Sequence, residues 1–273
     1  MNYVYIGAEK TSTTYLQRLF NSNKAAFAEQ AGITYLSAHA MSKNMVAAAK
    51  EGRAMRLPEK VSVAGDRNLM ISEFFYRDLN TQKRITGLKP ILDAALPGPY
   101  RVVMYVRDQT DWIVSYYSTY IKRGGVLTFE EYVNFILERK QSLHFAKSVG
   151  YWQAVFGDAL DVYHYKGGTV LHELLERFDV TLDQVTFKDP GHANVSLPVE
   201  SMEILRHANS AMRDMPNGAA KDALQKALKN TVMDHAYGAH KLQADATLRA
   251  RIVAHFSEGN RALNAAWGMS LPE

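Results

Sequence analysis

The chain has 273 residues, 47% of them hydrophobic and 22% charged, and no cysteine. That length and balance suit a globular protein with a substantial core, and the missing cysteines exclude a disulfide framework, thiol chemistry and cysteine-ligated zinc. The net charge of +4 falls short of the clustered basic stripe of a nucleic-acid binder, so no nucleic-acid partner is expected, whereas an anionic ligand or a polyanionic acceptor suits it.

The opening run Tyr3-Val4-Tyr5-Ile6 has neither the basic leader nor the apolar length of a signal peptide, and no later apolar run approaches the ~18 residues of a membrane span. A cytoplasmic protein without an integral membrane segment is the expectation. In chain order, short apolar, β-branched or aromatic runs predict strands over Tyr3–Gly7, Ile33–Leu36, Leu69–Ser72, Arg101–Arg107 and Leu160–Tyr165. Each reads apolar throughout, as a parallel strand buried on both faces does. Between them lie stretches of helical periodicity, beginning with Thr11 to Asn21, whose Leu16, Leu19 and Phe20 form one stripe. A second helix is expected from Gln109 to Lys122, ended by Gly124-Gly125. Pro90 and Pro97-Gly98-Pro99 mark breaks before the Arg101 strand, because proline removes a donor and restricts its predecessor. From Pro198 onward only helical stretches remain, near Val199–Met215, Ala219–Ala236 and Gln243–Ala266. This alternation predicts an α/β fold of three layers around a mainly parallel central sheet, with a C-terminal helical segment. We read one domain, an α/β core over 1–197 followed by helices over 198–273.

Two constellations carry chemistry. In the first, the strand through Tyr5-Ile6 meets Gly7-Ala8-Glu9-Lys10-Thr11-Ser12-Thr13-Thr14 and then a helix. Such a junction directs free amides and the positive end of a helix dipole at one spot, which makes it an anion site. Lys10 adds a charge, and the hydroxyls of Thr11, Ser12, Thr13 and Thr14 add donors. The segment is not a Walker A loop: the positions that pattern reserves for its second glycine and its lysine hold Ser12 and Thr13. In the second constellation the strand Val103-Met104-Tyr105-Val106 ends in Arg107, and Ser115 follows eight residues later on the next helix. A guanidinium fork and a hydroxyl so spaced can converge on one phosphate. Pairing of Arg107 with Asp108 or Asp111, and packing of Ser115 against another helix, are the plainer readings.

Together these segments resemble the nucleotide-binding motifs of the sulfotransferases that use PAPS (3'-phosphoadenosine 5'-phosphosulfate), particularly bacterial and carbohydrate-type members. The first is similar to their K-[ST]-G-[ST]-T loop, with Ser12 where the glycine usually stands, although serine resists positive φ. The second is similar to their R-x7-S motif. The segments Ala31-Gly32-Ile33-Thr34-Tyr35, Tyr151-Trp152 to Tyr165, Asn194-Val195-Ser196-Leu197 and Phe256 to Leu263 extend the likeness over most of the chain. The resemblance implies a P-loop NTPase-like sulfotransferase fold. It also implies PAPS as co-substrate, held by Gly7, Lys10, Thr11, Ser12, Thr13 and Thr14 at the 5' end and by Arg107 and Ser115 at the 3'-phosphate. A sulfuryl group would pass to a hydroxyl or amine of a carbohydrate, glycolipid or small-metabolite acceptor, PAP (3'-phosphoadenosine 5'-phosphate) would leave, and no metal would be needed.

Transfer to a hydroxyl requires a base within hydrogen-bond reach. Glu73, at the C-terminal end of the third strand, is the candidate, similar to the glutamate of the S-x-E stretch in carbohydrate-type members; Lys10 would stabilise the leaving oxygen. The alternative for Glu73 is a first-turn helix acid after Ser72 as N-cap. Lys122 and Arg123 stand between reaching the nucleotide or a sulfated or acidic acceptor and forming a solvated helix end. Asn194 and Ser196 stand between closing the nucleotide site and forming an ordinary turn, and Tyr116, Tyr117 and Tyr120 are read as packing. No histidine has metal-site spacing. A small-molecule kinase with an aberrant loop and a non-catalytic nucleotide-binding protein are the competing functions, and a homo-oligomer stays open.

Overall fold

The computed structural model describes residues 1–36, 39–55, 63, 65–191, 196–235 and 237–273, with the side chains of residues 39 and 40 outside the description. By internal packing the chain falls into two compact units. One comprises Met1–Asp108, Ser142–Ala193 and Glu258–Pro272, the other Gln109–Gln141 and Asn194–Ser257 with Glu273.

The first unit is built on five parallel strands, β1 Asn2–Tyr5, β2 Thr34–Tyr35, β3 Asn68–Ile71, β4 Tyr100–Val106 and β5 Leu160–His164, in the order β2-β3-β1-β4-β5. Each lies where its apolar run places it, with ends shifted by a residue or two. The helices, in chain order, are α1 Thr13–Ser22, α2 Lys24–Ala31, α3 His39–Glu51, α4 Glu73–Asp78, α5 Gln82–Ala95, α6 Gln109–Lys122, α7 Phe129–Arg139, α8 Phe145–Phe156, α9 Val170–Glu176, α10 Val199–Ala211, α11 Ala219–His235 and α12 Ala246–Trp267.

Both faces of the sheet are covered, which explains the absence of polar alternation in the strands. On one face Tyr3, Tyr5, Leu69, Ile71, Val103 and Tyr105 share a core with Leu16, Leu19 and Phe20 of α1, Phe27 of α2 and Leu174 and Leu175 of α9. On the other, Val4, Met70, Val102 and Met104 are fully buried, and α5 packs against both α3 and α8, with α8 also against β5. The first unit is therefore an α/β structure of three layers.

Beyond shifts of a few residues at helix ends, two departures from the sequence expectation have a local cause. The first helix begins at Thr13 rather than Thr11, because Lys10 (φ 69°) and Ser12 (φ 63°) adopt left-handed backbone that a helix cannot include. Pro90 does not break the chain; α5 runs through it. Pro90 faces solvent, so the carbonyl that its missing N–H leaves without a helical partner lies on the side where water can hydrate it. The break falls at Pro97-Gly98-Pro99, where Gly98 takes φ 77° and the Asn2 side-chain amide donates to the carbonyls of Pro97 (2.7 Å) and Pro99 (3.2 Å).

In the second unit α6 spans the expected residues and ends at Gly124, whose φ is 92°. The tyrosines of this helix pack as expected. The Tyr117 hydroxyl donates to the Leu127 carbonyl (2.9 Å), and Tyr120, stacked on Tyr132, accepts from the amides of Val126 (3.1 Å) and Leu127 (3.2 Å). Tyr116 stacks on Trp112 with ring centres 4.5 Å apart. Asn209 of α10 donates to the carbonyls of Ile121 and Gly125, tying α10 to the end of α6. No described helix is long and apolar enough to cross a membrane.

Candidate functional site

The parallel register sets what meets at the C-terminal edge of the sheet. Tyr5 pairs with Ile71 and with Val103, and Val106 pairs with His164. The chain therefore leaves β1 at Gly7, β3 at Ser72-Glu73, β4 at Arg107 and β5 at Tyr165 along one edge. β1 lies between β3 and β4, where chain connections diverge to either side, and open α/β sheets gather ligands at such a point.

The loop after β1 is closed by its own hydrogen bonds. Ile6 and Ala8 donate to the Val103 and Tyr105 carbonyls, each at 2.9 Å. The Tyr5 hydroxyl donates to the Thr11 carbonyl (2.6 Å), and the Thr11 hydroxyl, fully buried, donates to the Ala8 carbonyl (2.6 Å). Burial pushes the Tyr5 phenol far up, and its hydrogen bond with Thr11 offsets that only in part, so it remains a neutral donor. Gly7 admits no side chain: a Cβ would overlap the Thr11 hydroxyl and the Tyr5 ring. The Thr11 hydroxyl thus serves the loop itself. The Ser12 hydroxyl pairs with the Tyr165 hydroxyl at 2.8 Å and makes no cap bond to α1. Thr13, the first helical residue, holds a buried hydroxyl without a hydrogen-bond partner, and Thr14 is half-buried.

Arg107 is half-buried and donates from Nη1 to the Lys10 carbonyl at 2.9 Å. Its guanidinium also lies 5.4 Å from the centre of the Tyr165 ring. The loop lysine and the strand-end arginine, separated in sequence, are thus joined directly. The junction carries donors of the kind an anion site uses. The first-turn amides of α1 lack carbonyl partners in a preceding turn, and the buried Thr13 hydroxyl is unsatisfied.

Glu73 is the first residue of α4 and half-buried. Ser72 occupies the N-cap position with extended backbone, but its hydroxyl makes no cap bond and is buried without a partner. The Ser72 amide donates to the Tyr5 carbonyl (2.9 Å), which sets Glu73 beside the start of the loop. Gln17 of α1 donates to the Ile71 carbonyl (3.0 Å), pinning the helix to the same strand end. Arg77, one turn along α4, has its pKa raised by the Asp78 side chain first and then by Glu9 and Glu73.

The remaining candidates lie in the second unit or outside the description. Ser115 sits half-buried in the second turn of α6. Burial pulls the Lys122 ammonium below its ordinary value, helped by the like charge of Lys229, and Arg123 donates to the Tyr116 hydroxyl at 3.4 Å. Asn194 lies outside the described residues, and Ser196 is exposed. Among the described residues no group of three or more histidine, aspartate or glutamate side chains is arranged to hold a metal ion. Sequence reasoning missed Tyr165, taken only as the end of a strand, and Arg77. Neither carried a signal, because their surroundings depend on which elements become neighbours.

No family model matches this chain, and no curated protein matches it. The crystal structure of a sulfotransferase from Alicyclobacillus acidocaldarius is similar over 99% of this chain and 96% of its own, with 13% identity and a TM-score of 0.50. The fold is sulfotransferase-like. At that identity the likeness is one of fold, and the chemistry rests on the residues of this chain. At the C-terminal edge of its sulfotransferase-like sheet the chain presents two cations, a helix N-terminus and a carboxylate. Cations and a helix N-terminus are groups of the kind that attract an anion.

Proposed function

We propose that this protein transfers a sulfuryl group from PAPS to a hydroxyl or amine of an acceptor, a carbohydrate, glycolipid or small metabolite, in a cytoplasmic setting. The observation that carries the reading is the hydrogen bond from Arg107 to the Lys10 carbonyl. That contact supports the reading, because grips on two phosphates of a single nucleotide would have to be neighbours.

In this reading the α1 amides, Lys10 and the Thr13 and Thr14 hydroxyls hold the 5'-phosphosulfate. Gly7, Thr11 and Ser12 shape the loop. Arg107 takes the 3'-phosphate, and Ser115 joins it on the strength of its R-x7-S spacing. Glu73 accepts the acceptor's proton as the acceptor oxygen bonds to sulfur and the bond from sulfur to the phosphate oxygen breaks. Lys10 offsets the charge that develops on that leaving oxygen, and PAP departs. Lysine and oriented donors supply the electrostatic stabilisation, so the scheme needs no metal.

Calorimetric titration with PAP and with a 3'-dephosphorylated analogue is the first test, followed by labelled PAPS with a panel of glycans, lipids and phenols. Micromolar or tighter PAP binding, clear preference for the 3'-phosphate and sulfation of a panel member are expected. Magnesium-dependent ATP binding without that preference would sink the proposal in favour of a kinase. Tight PAP binding with no sulfated product would favour a non-catalytic nucleotide-binding protein.

A further inference from the structure

We infer that Tyr165 is a positioning residue that replaces the missing loop glycine by holding Ser12 in its left-handed conformation. The inference deepens the sulfuryl-transfer reading and depends on it for the ligand it names. Among the described residues the non-glycine positions with positive φ are Lys10, Ser12 and Asp179, so two of the three fall in this one loop. Each of those two is held from outside the loop. The Lys10 carbonyl accepts from Arg107 at the end of β4 (2.9 Å), and the Ser12 hydroxyl pairs with Tyr165 at the end of β5 (2.8 Å).

The two anchors are themselves coupled. The Tyr165 amide donates to the Val106 carbonyl at 2.7 Å, which sets Arg107 and Tyr165 side by side, and the guanidinium lies over the phenol ring. Glycine would adopt the Ser12 backbone freely, without a side chain for Tyr165 to hold. A serine there carries a steric cost, together with a hydroxyl through which that conformation can be fixed. Ser12 directs this hydroxyl to Tyr165 and not to the cap of its own helix. Serine and tyrosine together accomplish what glycine does alone, and Tyr165 also sets the arginine that grips the same loop.

The test compares Tyr165→Phe in the wild-type and in the Ser12→Gly background, reading PAP affinity by calorimetry and the thermal unfolding midpoint. In the wild-type background the hydroxyl's loss should weaken PAP binding roughly fivefold and lower the midpoint by about 3 °C; in the Ser12→Gly background it should cost under about twofold and about 1 °C. Equal losses in both backgrounds would mean that the hydroxyl contacts the nucleotide or supports the fold generally, and would overturn the inference. Should the wild-type protein fail to bind PAP, the sulfuryl-transfer reading falls and the midpoints alone decide the role of Tyr165. A background-dependent loss then sustains it, and an equal loss or none overturns it.

Discussion

Ser12 shows how a single residue can depart from a motif and keep its geometry. A left-handed non-glycine residue costs roughly 1–2 kcal/mol, close to the roughly 0.5–1.5 kcal/mol that one hydrogen bond contributes. The Tyr165 contact is therefore of the size needed to offset the strain. Arg107 illustrates the converse, a position where the residue type itself matters. It uses one guanidinium nitrogen for the Lys10 carbonyl and its face for Tyr165, and a lysine ammonium offers neither the fork nor the plane. Arg107→Lys should therefore weaken PAP binding roughly tenfold to a hundredfold, the range of a lost charge-assisted bond, as read by calorimetry. Glu73→Gln keeps the shape of the side chain and removes its basicity. Turnover should fall by about 10²–10⁴, while the PAP dissociation constant, measured on the same preparation, stays within about twofold. A drop in PAP affinity that matched the loss of turnover would remove Glu73 from the role of base.

At the scale of elements, helix ends and helix contacts obey local rules until tertiary contact overrides them. Gly87 lies inside α5, where alanine is ordinarily better by about 1 kcal/mol. A Cβ at this position would overlap the Ala49 carbonyl of α3, and overpacking against backbone costs about 1–3 kcal/mol. Gly87→Ala should therefore lower the urea midpoint, against its helix propensity. In the second unit Glu200, in the first turn of α10, pairs with His240, whose carbonyl accepts from the Val199 amide (2.9 Å). The Glu200 carboxylate raises the His240 pKa, by hydrogen bond first and charge second, and His240 holds Glu200 below its ordinary value. A raised histidine pKa contributes stability below its unfolded value that is lost as pH rises through the folded one. A depressed glutamate contributes above its unfolded value and loses that as pH falls through the folded one. The pair is strongest between the ordinary carboxylate and imidazole ranges and loosens on either side. By NMR titration, Glu200→Gln should bring the His240 pKa back toward the ordinary imidazole value.

At the scale of the molecule, the proposed nucleotide would join segments of the first unit that are far apart in sequence, the loop at Lys10 and the strand end at Arg107. A ligand that binds only the folded chain stabilises it by mass action. PAP at a hundredfold excess over its dissociation constant should add about 2.7 kcal/mol to unfolding, seen as a raised thermal midpoint. At the same concentration a tenfold to hundredfold loss of affinity in Arg107→Ala should cut that gain to about 1.4–0.4 kcal/mol.

The strands, α6, the C-terminal helices and the turn between the first strand and the first helix were legible in the amino-acid order, because hydrophobic period, glycine placement and charge act within a few residues of where they are written. The start of α1 and the course of α5 through Pro90 were not, because left-handed backbone at Lys10 and Ser12 and solvent on the Pro90 face are settled by surroundings. The sequence by itself determined which cations and hydroxyls follow which strand ends. Only the tertiary structure decided that Arg107 meets Lys10 across 97 residues and that Tyr165 meets Ser12 across 153. Strand order and register come from burying the whole sheet at once, and no local stretch of chain encodes which strand ends become neighbours.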